Sequence, residues 1–205
     1  MRFIGDVHGK YSRYEKLISQ VPESIQVGDM GVGFRHHGVS GHEHGSPCSN
    51  PSHRKMIANN ARFIRGNHDN PNVCRNHSQW ISDGKVEIIG NSKVMFVGGA
   101  TSIDIHSRLE NFSWWKNEEL SNADLYQMVD IFAAEKPDVM ITHECPESIS
   151  EHLLNRTKIN IQSATRQAFE SMLSIHTPKL WIFGHWHVSF DQVIDNCRFR
   201  CLKVS

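Results

Sequence analysis

The sequence has 205 residues, with 22 Lys+Arg against 22 Asp+Glu, a formal net charge of zero and a pI near 7.2. That length supports one substantial core, a single domain over 1–205. The balanced charge argues against a protein that tracks long nucleic acid or carries a solvating acidic tail. Histidine stands out at 14 residues, an excess that points to metal chemistry.

The five cysteines, Cys48, Cys74, Cys145, Cys197 and Cys201, are odd in number and contain no Cys-x-x-Cys pair. They match neither a disulfide framework nor a thiolate zinc site, so reduced, mostly buried thiols of a cytoplasmic protein are expected. Cys197 and Cys201 fall on one face of an expected strand. Met1 leads directly into "RFIGDVHG" with no signal-like segment, and no apolar run reaches membrane-spanning length.

Short apolar runs recur along the chain, most ending in a polar cluster. "MRFIGDVHG" ends at Asp6 and His8. A helical period follows over 11–21, with Tyr14, Leu17, Ile18 and Val21 on one face and Pro22 as terminator. "SIQVGDMG" ends at Asp29. Residues 31–55 then read as a long Gly-, Ser- and His-rich loop, of the kind that borders functional clefts. "ARFIRGNHD" ends at Asn67-His68-Asp69, and "KVMFVGGA" ends in glycines. Ser121 can cap a helix through about Glu135, with Leu125, Met128, Val129 and Phe132 inward. "PDVMITHE" ends at His143. A helix over 163–175 buries Ala168, Phe169, Met172 and Leu173, and "LWIFGHWH" ends at His185 and His187. "FDQVID" and "RFRCLKV" read as a closing antiparallel hairpin. The alternation predicts an α/β core, in which functional groups gather where strands end.

Each polar strand end alone is weak evidence, because a terminal His is commonly just a hydrogen-bonded cap. In order, however, the blocks read Asp6-x-His8, Gly28-Asp29, Gly66-Asn67-His68-Asp69, a strand-terminal His143, and Gly184-His185-x-His187. This series resembles the calcineurin-like metallophosphoesterase superfamily from residue 6 to residue 187. The resemblance implies an αββα sandwich of two mixed β-sheets flanked by helices. It also implies a phosphoesterase that hydrolyses phosphate mono- or diesters with two divalent metal ions, Mn foremost and Fe, Zn, Ni or Mg also suited. Carboxylate and imidazole donors fit such ions, and none of the five blocks offers a thiolate.

By the same resemblance Asp6, His8 and His187 hold the first metal, and Asp29 bridges both. Asn67, His143 and His185 complete the second. A hydroxide between the ions is the nucleophile, and His68 protonates the leaving oxygen with Asp69 orienting its ring. Arg108, in "GGATSIDIHSR", could bind phosphate through a bidentate fork or sit in a surface salt bridge. His106 beside it carries less. The loop histidines His36, His37, His42, His44 and His53, with Cys48, match no zinc motif. Trp114 and Trp115 are expected to pack at the start of the following helix, with stacking on a nucleobase as the alternative.

The second block, "GDMGVGF", lacks the Asp-Arg pair of the protein serine/threonine phosphatases, and the third ends in Asp69. The chain is therefore more similar to small bacterial and phage-type phosphoesterases, which in the phage case would act in the host cytoplasm. A phosphorylated small molecule or nucleotide is the expected substrate. A protein phosphatase and a non-catalytic metal-binding scaffold remain the alternatives. Finally, His185 and His187 are assigned to different metals, so the last strand should stop at Gly184 and turn.

Overall fold

A computed structural model describes residues 1–34, 52–153 and 162–205. All six expected apolar runs form strands. Three of them, β1 (Arg2–Ile4), β2 (Ser24–Val27) and β3 (Ala61–Ile64), make a parallel sheet in that order. The connections carry α1 (Tyr11–Ile18) and α2 (His53–Ala58), and α3 (Pro71–Cys74) follows β3.

The second sheet contains β4 (Val86–Ile89), β5 (Ser92–Val97), β6 (Val139–Thr142), β7 (Leu180–Phe183), β8 (Phe190–Ile194) and β9 (Cys197–Cys201). Its order is β4-β5-β6-β7-β9-β8, parallel from β5 to β9 with antiparallel strands at both edges. Helix α4 (Asn122–Glu135) joins β5 to β6, while α5 (Glu147–Leu153) and α6 (Ala164–Ile175) lie between β6 and β7.

The two-residue period of a strand makes the two sheets stack. In β5, Val94 and Phe96 point to the first sheet and join Ile25, Val27, Ile64, Ile141 and Ile182 between the sheets. Met95 and Val97 point the other way, to Met128 and Phe132 of α4 and to Phe169 and Met172 of α6, around the buried Trp181. Outside the first sheet, Ile4 and Phe63 pack with Tyr14, Ile18 and Met56. The result is the expected helix–sheet–sheet–helix sandwich. Each buried large side chain contributes roughly 1.5–3 kcal/mol, a rigid frame for the loops at the strand ends.

Helix α4 begins as expected, with Ser121 Oγ accepting from Asp124 N at 3.2 Å. Helix α1 stops at Ile18, short of Val21, because Pro22 drives the residue before it out of the helical region. The loop expected through residue 55 gives way to α2 at His53, whose Nε2 lies 2.9 Å from Ser78 Oγ. His36, His37, His42, His44 and Cys48 lie outside the described residues. Cys74, Cys145, Cys197 and Cys201 are buried free thiols, as the composition suggested. Among the described residues no helix is long and apolar enough to cross a membrane.

Candidate metal centre

The ends of β1, β2, β3, β6 and β7 meet on one side of the sandwich. Past Ile4 and Val27 the loops stay zipped together: Val7 N and His8 N donate to Asp29 O at 2.9 and 2.8 Å, and Gly9 N to Met30 O at 3.0 Å. His8 (φ 47°), Asp29 (φ 60°), His185 (φ 68°) and His187 (φ 55°) all take left-handed backbone. Such a conformation costs a residue bearing a Cβ roughly 1–2 kcal/mol, so the fold concentrates strain on side chains that converge. Strand β7 ends at Phe183 and the chain turns through Gly184, as the spacing of the two histidines requires. The glycine of the third block supplies room: a Cβ on Gly66 would overlap the Asp29 carboxylate and lie 2.7 Å from His143 Nε2.

Two groups of ligand atoms form, and they share one residue. Asp6, His8, Asp29 and His187 each offer an atom within 4.8 Å of the others, and so do Asp29, His143 and His185. In the first group His187 Nε2 stands 3.0 Å from Asp6 Oδ2 and 2.9 Å from His8 Nε2. His8 Nε2 is 3.7 Å from Asp6 Oδ2 and 3.8 Å from Asp29 Oδ2. Asp6 is fully buried, and its Oδ2 makes no hydrogen bond of acceptable geometry.

In the second group His143 Nδ1 lies 2.8 Å from Val27 O, a contact that fixes this nitrogen as a donor. Its Nε2 is thereby aimed at Asp29 Oδ1 (3.3 Å) and Asn67 Oδ1 (3.1 Å). His185 Nδ1 also faces Asn67 Oδ1, at 3.0 Å. Burial disfavours a charged His143, yet the Asp29 carboxylate overrides it and pushes its pKa up to about 10. Asp29 is likewise buried, and the neighbouring imidazoles, His143 first, hold it well below the usual carboxylate range. The pocket therefore demands positive charge at its centre. Two carboxylates, four imidazoles and one amide oxygen, with an orphaned Asp6 oxygen among them, fit a pair of divalent cations.

His68 and Arg108 stand beside these groups. His68 Nε2 is 3.9 Å from Asp29 Oδ2, and its ring stacks on Phe34 at 4.8 Å. Arg108 Nη2 donates to His68 Nε2 at 2.6 Å and is paired with Asp104 Oδ1 at 2.7 Å. Arg108 thus makes a salt bridge, with the half-exposed Asp104, and also reaches His68, its own side chain being only 6% exposed. Burial, with the Arg108 charge against the pull of Asp29, lowers the His68 pKa to about 4. Asp69, expected to orient the His68 ring, goes elsewhere. Its Oδ1 accepts from Gly31 N (2.7 Å) and Val32 N (2.8 Å), its Oδ2 from Gly66 N (2.8 Å) and Met30 N (3.2 Å). It buckles the loop after β2 to the loop after β3, because four backbone donors already occupy its two oxygens. His106 is exposed in a 3-10 turn, Ile105–Ser107. Trp115 is buried, with its ring 6.0 Å from that of Phe34.

Several residues of the site carry no motif. Glu144 is buried beside His185, with Oε2 3.7 Å from its Nε2, and its Oε1 accepts from Trp186 Nε1 at 2.8 Å. Ser102 and Glu118 are hydrogen-bonded behind Asn67. Arg166 of α6 reaches Glu144 and Glu147. The candidate ligands open on a cleft of about 550 Å³ walled by His68, Ile103, Arg108, Arg166 and Trp186. A groove of about 590 Å³ between α5, α6 and the β8–β9 hairpin is no smaller, but among the described residues it gathers no such donor set.

The sequence profile of the calcineurin-like phosphoesterases matches residues 2–189. The chain belongs to this family. Calcineurin-like phosphoesterases are metal-dependent hydrolases that usually carry two divalent ions, in keeping with the two donor groups found here. Solved structures agree on the fold. A Staphylococcus aureus protein described as a 5'-nucleotidase superposes with a TM-score of 0.53 at 13% identity, covering 98% of this chain and 48% of its own. The sulfate thiohydrolase SoxB of Thermus thermophilus gives 0.53 at 14% identity, covering 98% of this chain and 38% of its own. The chain thus spans about half or less of the length of these two structures. Comparison with curated proteins gave no match.

Proposed function

We propose that this calcineurin-like phosphoesterase hydrolyses small phosphate mono- or diesters at a dinuclear metal centre. The observation that carries the reading is the sharing of Asp29 between two donor groups. Asp6, His8 and His187 would hold one cation with Asp29; Asn67, His143 and His185 would hold the other. When bound, such a pair lowers the pKa of water and neutralises phosphoryl oxygens.

The chain's own residues do the rest. Asp29 sets the spacing of the two positions, and the strained turns at His8, His185 and His187 keep the imidazoles aimed. Arg108 receives a phosphoryl oxygen from the side of the cleft. Its transfer to phosphate releases His68 Nε2 from a cationic neighbour that helps hold its pKa down, so that His68 can take a proton from solvent and pass it to the leaving oxygen. The 550 Å³ cleft suits a nucleotide or a phosphorylated small molecule.

The test is hydrolysis of an aryl phosphate monoester and diester by the metal-free chain, with and without added Mn²⁺. Turnover that requires Mn²⁺ and disappears in Asp29→Ala supports the reading. Turnover that survives Asp29→Ala overturns it. Full binding of Mn²⁺ with no turnover on any ester would leave the metal-binding scaffold as the better description.

A further inference from the structure

Asn67 is a candidate ligand whose donor atom is set by its neighbours. Its amide ends in an oxygen that can bind a cation and an NH2 that cannot, and a half-turn exchanges them. A buried chain leads away from it. Asn67 Nδ2 donates to Ser102 Oγ (3.0 Å), Ser102 Oγ donates to Glu118 Oε2 (2.8 Å), and Ser102 N donates to Glu118 Oε1 (2.7 Å). The three residues are 2%, 3% and 4% exposed. Glu118 is anchored at its main chain, where its carbonyl accepts from Arg65 Nη1 at 2.6 Å and its N–H donates to Trp115 O at 2.9 Å.

Above about pH 7, where Glu118 is ionised, the direction of this chain follows from one fact: a carboxylate has no proton to give. The single hydroxyl proton of Ser102 is therefore committed to Glu118. Only lone pairs of the hydroxyl are left for Asn67, which must present its NH2 to them. Oδ1 is thereby turned to the other side, where His143 Nε2 and His185 Nδ1 lie 3.1 and 3.0 Å away.

We infer that Glu118, acting through Ser102, is a positioning residue that sets the orientation of the Asn67 amide and so the affinity of the second metal position. The inference rests on the dinuclear reading above. In Glu118→Gln the new NH2 can donate to Ser102 Oγ. The hydroxyl proton then turns to Asn67 Oδ1, and the amide swings its NH2 into the metal position. Loss of an outer partner of this kind typically lowers metal affinity about 10- to 100-fold.

The experiment is calorimetric titration of the full, metal-free chain with Mn²⁺, for wild type, Glu118→Gln, Asn67→Asp and the double variant. Wild type is expected to bind two equivalents. Glu118→Gln should bind one equivalent as wild type does, which also reports an intact fold, and the other about 10- to 100-fold more weakly. In the Asn67→Asp background, where either oxygen can face the cation, Glu118→Gln should bring no further loss. A merely structural role would repeat its cost in both backgrounds. Equal losses in the two backgrounds, or no loss in either, overturn the relay. Fewer than two equivalents in wild type overturn the dinuclear reading beneath it. Should Glu118→Gln fail to fold, Ser102→Ala breaks the same chain and carries the same expectation.

Discussion

His185 and His187 are two residues apart, yet their imidazoles serve opposite sides of the site. His187 Nε2 lies 3.0 Å from Asp6 Oδ2, while His185 Nδ1 lies 3.0 Å from Asn67 Oδ1. In an extended strand residues i and i+2 would point alike. The left-handed backbone of both histidines, after β7 has ended at Phe183, splays them apart. Gly184 allows this because a Cβ there would overlap Asp6 Oδ1.

Single substitutions should therefore remove different ions. His187→Ala and His185→Ala are each expected to reduce bound Mn²⁺ from two equivalents to one, and Asp29→Ala to abolish tight binding of both. Turnover should fall at least about 10²-fold in each case, the scale of losing one charge-stabilising group. Elemental analysis after gel filtration checks the stoichiometry. Loss of both ions on His187→Ala alone would mean that the two groups do not bind independently.

Asp69 supports the site by tying its loops, and its substitution should read as a stability defect. Each of its oxygens accepts two backbone N–H groups. In Asp69→Asn the NH2 faces two of those donors, leaving them unsatisfied at a cost of about 1–3 kcal/mol. Urea denaturation should show that loss while the shape of the pH–rate profile is kept. His68→Ala should do the reverse, keeping the fold and losing about 10²- to 10⁴-fold in turnover. A changed pH profile in Asp69→Asn would restore its expected role at the His68 ring.

These contrasts mark how far the sequence could be read. The strands were legible because backbone periodicity is a local property, whereas the sandwich and the convergence of Asp6, His8, Asn67, His143, His185 and His187 around Asp29 followed only from the resemblance that the ordered blocks carry. The role of Asp69 was not, since adjacency to His68 in sequence says nothing about which donors surround a buried carboxylate. Glu144, Ser102 and Glu118 escaped for a related reason. A lone Glu or Ser in a loop carries no pattern, and its importance arises only when folding places it behind a ligand. Strand β4, partly exposed at the edge of its sheet, gave too little apolar contrast to be seen.

Arg108 offers a test of the cleft. Its guanidinium is held by Asp104, by Ser113 O at 3.3 Å, and over the Phe34 ring at 5.8 Å, with one Nη on His68. A planar fork in that setting can bind a phosphoryl group bidentately, and an ammonium cannot. Arg108→Lys is expected to raise KM for an aryl phosphate about tenfold, equivalent to about 1.4 kcal/mol, with metal content unchanged. An unaltered KM would remove Arg108 from the substrate side of the site.

Glu118 yields a prediction about pH that needs no metal. Burial pushes its carboxyl up from 4.5 to about 7, against the hydrogen bonds from Ser102. Between those values the unfolded chain has released a proton that the folded chain still holds. Stability from this group is therefore lost as pH rises through the window, since the unfolded state binds fewer protons. Glu118→Gln does not titrate. In chelator-treated protein, the urea midpoint of the variant relative to wild type should rise steadily between about pH 4.5 and about pH 7. Saturating Mn²⁺ should then reverse the order at neutral pH, because wild type gains the full binding energy of the second ion and the variant does not. A pH-independent difference would mean that Glu118 ionises in the fold as it does in water.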